Sequence, residues 1–171
     1  GLIGNGPEFI SWYRHQLIPQ GVEYLNKYLG CDEVKAVKAI HEHVRLCYDI
    51  CHFAVGYEDH AAILNELSLE GIKVGRFQIS AALKGDMAPN PVDRAKVVEA
   101  FAQFNESTYL HQVVARQEDG SLKRYPDLPE ALADAKSVNT REWRSHFHVP
   151  LFVADYGALQ STQSDIEKVL S

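Results

Sequence analysis

The sequence predicts an α/β domain with about three parallel strands, flanking helices and one inserted β-hairpin. Strand-like and helix-like segments alternate in a βαβα order from residue 44 onward. Three of the strand-like segments also become polar on one face toward their C-terminal ends. Because parallel α/β sheets bind ligands at that edge, the pattern predicts a binding site there.

The length of the chain limits the size of this sheet. The chain has 171 residues, of which 46% are hydrophobic, and this suits a single domain over residues 1–171 with its own core. A closed barrel of eight βα units typically needs roughly 250 residues. The sequence therefore predicts either a small open sheet or a part of a larger barrel.

The N-terminal part of the chain is predicted to be helical. Apolar residues there recur every three or four positions, as on one face of an α-helix. Pro19 and Gly21 interrupt this pattern and are expected to separate the first two helices. The predicted helices cover residues 7–17, 22–29 and 33–43.

Strands and helices alternate in the rest of the chain. The predicted parallel strands cover residues 44–50, 72–80 and 143–149. Further helices are predicted over residues 59–69, 92–104 and 129–135 and from Ser161 onward, and a loop is predicted between residue 80 and Asn90. Residues 109–125 contain two short alternating stretches joined by a polar, glycine-containing turn, which predicts the inserted hairpin.

Charge and hydropathy argue against two classes of partner. The chain has 17 basic and 23 acidic residues, a net charge of −6, and lacks the basic cluster that nucleic-acid binding requires. Its apolar runs are far shorter than the roughly 18 to 20 residues of a membrane-spanning helix. We therefore expect no nucleic-acid partner, no membrane association and a cytoplasmic location.

The three cysteines, Cys31, Cys47 and Cys51, are expected to be free thiols, because an odd number in such a chain does not indicate a disulfide framework.

Two pairs of residues could bind a divalent metal. Asp49 ends a predicted strand and His52 follows in the next loop, so a carboxylate oxygen and an imidazole nitrogen could reach one ion. His146 and His148 share one face of a predicted strand. The alternatives are a turn-forming Asp49, a loop histidine at His52 and hydrogen-bonded core histidines. Cys47 and Cys51 are interpreted as small buried residues, since a zinc knuckle needs more ligands at close spacing.

Further polar residues lie near the same strand ends. Arg76 on an inward face would need a carboxylate or an anionic ligand, and a salt bridge to Asp49 or to an acidic residue outside this chain is the structural alternative. Gln78 follows on the same face, and Lys84 lies in the next loop. Arg144 shares the strand face of the two histidines.

The segment from Leu46 to His52 resembles the strand-end Asp-Thr-x-His motif of the xylose isomerase-like TIM-barrel superfamily. That superfamily contains sugar isomerases, epimerases and nucleases of the endonuclease IV type. Residues 47–55, 71–83 and 143–152 are most similar to its Ebo-operon metabolite traffic proteins. The resemblance implies that the chain is the C-terminal part of a (β/α)8 TIM barrel.

The same resemblance implies a metal-dependent sugar or sugar-phosphate isomerase or epimerase that binds a sugar-like small molecule. Asp49 and His148 would bind a divalent metal such as Mn, Co, Zn or Mg. Catalysis would involve His52, Lys84 and His146, and substrate would contact Arg76, Gln78 and Arg144. Gln78 and Lys84 replace a histidine and an arginine of the ketose epimerases, and the strand-borne glutamate ligands of the superfamily are not evident. The metal itself could therefore be absent from this chain.

Two other functions stay open. A non-catalytic protein that binds or moves a metabolite would keep the pocket and lose turnover, which Gln78 favours. An endonuclease IV-like phosphodiesterase would need a basic surface, which the net charge of −6 disfavours. A partial barrel would leave strand edges open, so a homodimer or another association that covers them is expected.

Overall fold

A computed structural model describes residues 3–87, 89–106, 108–137 and 139–171. The fold is mixed α/β, as predicted, with a parallel two-stranded sheet and an antiparallel six-stranded sheet. The chain divides into two compact units. The first unit consists of Gly1–Asp49 and Glu58–Gln78, and the second consists of Ile50–Tyr57 and Ile79–Ser171.

The helices and strands follow one another along the chain with short connections. Their bounds are α1 (Gly6–Trp12), α2 (Ile18–Leu29), α3 (Glu33–His43), β1 (Leu46–Asp49), α4 (Ile50–Val55), α5 (His60–Leu69), β2 (Val74–Gln78), β3 (Ala81–Asp86), α6 (Pro91–Ala102), β4 (Val113–Gln117), β5 (Leu122–Tyr125), α7 (Leu128–Ala133), β6 (Thr140–Val149), β7 (Asp155–Tyr156), β8 (Leu159–Ser161) and α8 (Gln163–Leu170). In the described residues, none of these helices is long and apolar enough to cross a membrane.

The first two helices of the first unit are continuous, which corrects the predicted break. A π-helical turn, Tyr13–Leu17, joins α1 to α2. Pro19 occupies the first turn of α2, where a missing N–H is tolerated best. Gly21 lies against α3, since a Cβ atom there would be 2.7 Å from Ile40 Cδ1. The glycine therefore serves close helix packing and does not end the helix.

The parallel strands of the first unit confirm part of the prediction. β1 and β2 pair in parallel, with Leu46 opposite Val74 and Asp49 opposite Gln78. Tyr48 of β1 is fully buried, and its hydroxyl group lies 2.7 Å from His60 Nδ1 at the start of α5. Among the described residues these two strands form a sheet of their own, without a barrel.

The third predicted parallel strand, residues 143–149, is antiparallel instead. It forms most of β6, which lies between β3 and β4 in the six-stranded sheet of the second unit and runs antiparallel to both. Its alternation of polar and apolar residues is typical of an antiparallel strand with one exposed face, whereas buried parallel strands are apolar throughout. The predicted hairpin is confirmed as β4 and β5, but β4 also pairs with β6 and so belongs to the sheet.

Residues 81–86 form a strand where the sequence predicted a loop. Ala81, Ala82 and Leu83 of β3 are fully buried, although alanine has little preference for strands. Gly85 allows α6 and β8 to approach β3, because a Cβ atom there would be 2.7 Å from Val97 Cγ1 and 2.8 Å from Leu159 Cδ2. Tertiary packing therefore determines this strand.

Candidate metal centre

Two histidine side chains meet at the C-terminal end of β6 in the second unit. His146 Nε2 and His148 Nε2 are 3.2 Å apart. Two imidazole nitrogens that bind one tetrahedral zinc ion at about 2.0–2.1 Å lie roughly 3.3 Å from each other. The pair therefore forms a ring-to-ring hydrogen bond at a spacing that two ligands to the same ion would also have.

An irregularity in the sheet places these histidines. Ala81 pairs with Val149 and Leu83 with Ser145, so β6 uses four steps where β3 uses two. Such a bulge interrupts the ladder and redirects side chains, and bulges are common beside active sites. On the other side β4 pairs only up to Ser145, and His146 N–H donates to Gln112 O at 2.9 Å. The two histidines consequently extend beyond the regular sheet.

Cys51 provides a third possible ligand from the first turn of α4. It is completely buried, its backbone N–H donates to Ser80 Oγ at 3.2 Å, and its thiol donates to Phe147 O at 3.4 Å. One ligand atom each from Cys51, His146 and His148 lies within 4.8 Å of the others. Thiolate sulfur and imidazole nitrogen are the donors that zinc prefers, so the chemistry of this set fits that metal.

His52 also belongs to this neighbourhood. It follows Cys51 on α4, and its ring centroid lies 5.6 Å from that of His146. The structure thus places His52 near His146 and His148. It adds Cys51, which is buried as interpreted from the sequence and also lies beside the histidines, whereas Cys47 is exposed, which corrects its interpretation as a buried residue. The sequence carries no spacing signal for this contact because the cysteine and the histidines are far apart in the chain.

A cavity of about 570 Å³ opens beside the two histidines of β6. The aromatic ring of Phe147 forms part of its wall and stacks on His111, with centroids 3.8 Å apart and ring planes 11° apart. The cavity is lined by Glu106, Tyr109, Leu110, His111, His146, Phe147 and His148. A small molecule can therefore reach the histidines from solvent, across a partly aromatic surface.

Three candidate residues lie in the first unit, at the ends of β1 and β2. Gln78 Nε2 donates to Asp49 Oδ2 at 2.9 Å, so the two residues that end the parallel strands contact each other. Arg76 is exposed on β2 and lies opposite Cys47 in the strand register. The sequence left open a salt bridge between Arg76 and Asp49. In the structure Gln78, and not Arg76, is hydrogen-bonded to Asp49.

Arg144 lies in a packed ionic cluster of the second unit. Its Nε atom is 2.8 Å from Glu142 Oε1, and its Nη1 donates to Ala54 O at 2.8 Å. Its guanidinium carbon lies 4.0 Å from the ring centroid of Tyr57. Burial raises the pKa of Tyr57, and the negative charge of Glu142 adds to that effect. These contacts account for the arginine without a ligand.

Lys84 faces a different part of the second unit. It lies on β3, opposite Arg144 on one side and Gln160 on the other. It lines a small cavity of about 160 Å³ together with Asp86 and Asp93. The structure therefore does not bring Lys84 into the cavity beside His146 and His148.

Comparisons with protein-family models, curated proteins and solved structures return no match for this chain. A function for the site is therefore argued from its donor atoms and their geometry.

Glu106 and His111 were not predicted from the sequence. They lie in the loop before β4 and join the site only through the folded cavity.

Proposed function

We propose that the second unit binds one divalent transition-metal ion, preferentially zinc, through Cys51, His146 and His148. The observation that carries this proposal is the convergence of their ligand atoms within 4.8 Å. A sulfur ligand with two imidazoles favours zinc over the harder ions Mn²⁺ and Mg²⁺. Asp49, which the motif resemblance implies as a ligand, precedes Cys51 by two residues in the chain and is included in the test.

We further propose that the ion serves a sugar or sugar-phosphate isomerase or epimerase reaction. Three protein ligands leave a coordination position free, as in catalytic zinc sites. A bound ion there would polarise a substrate carbonyl. The cavity beside His146 and His148 has room for a sugar-sized molecule, and the exposed ring of Tyr109 offers a surface for the apolar face of a sugar ring.

The partial-barrel architecture stays a proposal for the first unit alone. The parallel pair β1 and β2, joined through α5, has the connectivity of two successive barrel strands. β6 is excluded from such a barrel by its antiparallel neighbours. Each parallel strand pairs on one side among the described residues, so we propose that a second copy of the chain covers the open edges.

A metabolite-binding protein without turnover is the second candidate. The contact between Gln78 and Asp49 favours it, because an amide at that position is a poor ligand for zinc or manganese. The endonuclease-like alternative stays disfavoured by the net charge of −6.

The metal proposal is tested with the purified chain by native mass spectrometry and by zinc titration against a competing chelator. We expect one zinc ion per chain and a fall in affinity of about 100-fold or more in Cys51→Ser and His148→Gln, since even outer-shell changes cost roughly 10- to 100-fold. The matched controls are Cys47→Ser and His43→Gln, two exposed residues of the first unit, and both should bind zinc as the wild type does.

Equal zinc affinity in Cys51→Ser, His148→Gln and the controls would overturn the metal proposal and leave the two histidines as a hydrogen-bonded pair. If Cys51→Ser and His148→Gln do weaken zinc binding, Asp49→Asn tests the ligand that the resemblance implies: reduced affinity supports Asp49 as a ligand, and unchanged affinity excludes it. The same spectra report whether the chain is a dimer.

A further inference from the structure

Glu106 and His111 form a polar pair in the wall of the cavity beside His146 and His148. His111 Nε2 lies 3.5 Å from Glu106 Oε1. The second oxygen of the carboxylate, Oε2, accepts the backbone N–H of Thr108 at 3.0 Å. One oxygen of Glu106 is thus held by a backbone hydrogen bond and the other lies near an imidazole nitrogen, although 45% of the side-chain surface is exposed.

The position of His111 is fixed by its surroundings. Its side chain is only 8% exposed, and its ring is stacked flat on Phe147, the residue between the two proposed ligands on β6. Its backbone N–H donates to Asp127 Oδ1 at 2.8 Å, and the same oxygen accepts the first N–H of α7 from Leu128. The imidazole therefore has a defined place beside the proposed metal site.

Among the described residues that line this cavity, Glu106 is the one that carries a carboxylate. Hydrogen bonds from Thr108 lower its pKa, with a smaller contribution from the nearby His111. Like an ordinary glutamate, the group is ionised at neutral pH and is able to accept a proton. Isomerisation and epimerisation both require such an acceptor for the proton next to the substrate carbonyl.

We infer that Glu106 is the proton-transferring residue of the cavity and that His111 positions its carboxylate. This inference rests on the proposed isomerase or epimerase function. The carboxylate takes the proton from the carbon next to the carbonyl, the C–H electron pair forms a C=C bond, and the carbonyl π pair moves to oxygen. The reverse transfer returns a proton from Glu106 to that carbon and restores the carbonyl, so atoms and electrons balance.

The test measures proton exchange rather than net turnover. Zinc-loaded protein is incubated in D₂O with D-fructose or D-fructose 6-phosphate, and NMR follows deuterium incorporation next to the carbonyl. We expect Glu106→Gln to slow the exchange by roughly 100-fold or more, the usual contribution of a general base. Zinc affinity should stay unchanged. Glu106→Asp should retain part of the rate, and Glu99→Gln, an exposed residue of α6, is the matched control.

The positioning role of His111 is tested by a pair of variants. His111→Phe keeps a ring to stack on Phe147 and removes the nitrogen next to Glu106, whereas His111→Gln keeps a polar nitrogen and loses the ring. We expect His111→Phe to lower kcat for exchange with little change in KM, and His111→Gln to restore part of kcat. Equal losses in kcat in both variants, accompanied by weaker zinc binding, would overturn the positioning role.

The outcomes separate this inference from the proposed function. Exchange by zinc-loaded Glu106→Gln at the wild-type rate overturns the role of Glu106 and leaves the proposed function standing. A wild type that binds zinc and exchanges neither sugar overturns both the catalytic proposal and this inference, but leaves the metal site. A wild type that exchanges protons without binding zinc overturns the metal proposal, while the Glu106→Gln comparison still decides this inference.

Discussion

At the scale of single residues, Arg144 illustrates how packing can use a charged side chain that the sequence assigns to a ligand. Glu142, its partner, is 7% exposed, and the guanidinium group also binds a backbone carbonyl and covers a tyrosine ring. Removing one member of a buried ion pair leaves the other charge without compensation. The arginine should therefore matter for the stability of the second unit.

We predict that Arg144→Met lowers the free energy of unfolding by about 3 kcal/mol, near the lower limit for a broken buried pair because Arg116 also contacts Glu142. Arg116→Met is the control: that side chain is 46% exposed and 3.4 Å from the same carboxylate, so its loss should cost at most about 1 kcal/mol. Urea unfolding measures both. An Arg144→Met protein of wild-type stability, with weaker sugar binding, would restore the substrate-binding interpretation.

At the scale of elements, β3 depends on close packing at one glycine. A Cβ atom at Gly85 would lie 2.7 to 2.8 Å from atoms of Val97, Leu159 and Phe101, all of them buried. We predict that Gly85→Ala destabilises the protein by about 1–3 kcal/mol, the usual cost of overpacking. Gly4→Ala, whose Cβ would meet Glu8 Oε2 at an ordinary 3.6 Å, should change the unfolding free energy by less than about 0.5 kcal/mol. Similar values for the two variants would contradict this role of Gly85.

The same scale explains what the sequence could predict. The predicted helix over residues 33–43 agrees with α3, since Asp32 accepts the N–H of Lys35 and gives a local start signal. β3 lacks such a signal, because buried alanines and a glycine become a strand only against α6 and β8. The candidate site divides in the same way: the spacing of His146 and His148 is visible in the sequence, whereas the bulge and the approach of Cys51 arise from tertiary structure.

At the scale of the whole molecule, the proposed metal ligands come from parts of the second unit that are distant in the chain. Cys51 lies on α4, and the histidines lie on β6, one of the two middle strands of the six-stranded sheet. An ion that joins them would bind the folded unit and not the unfolded chain. Binding of this kind stabilises the folded state by mass action, by about 2.7 kcal/mol at a ligand concentration 100 times its Kd.

We therefore predict that zinc raises the thermal midpoint of the wild-type protein and that EDTA reverses the effect. For a unit of this size, 1 kcal/mol corresponds to several degrees, so zinc at 100 times its Kd should raise Tm by roughly 5–15 °C. The shift should disappear in Cys51→Ser and persist in Cys47→Ser, because only the first substitution removes a proposed ligand. Differential scanning calorimetry with and without zinc measures the effect for each variant. A zinc-dependent shift of the same size in both cysteine variants would show that the stabilising ion binds elsewhere and would remove the link between α4 and β6 on which the proposed site depends.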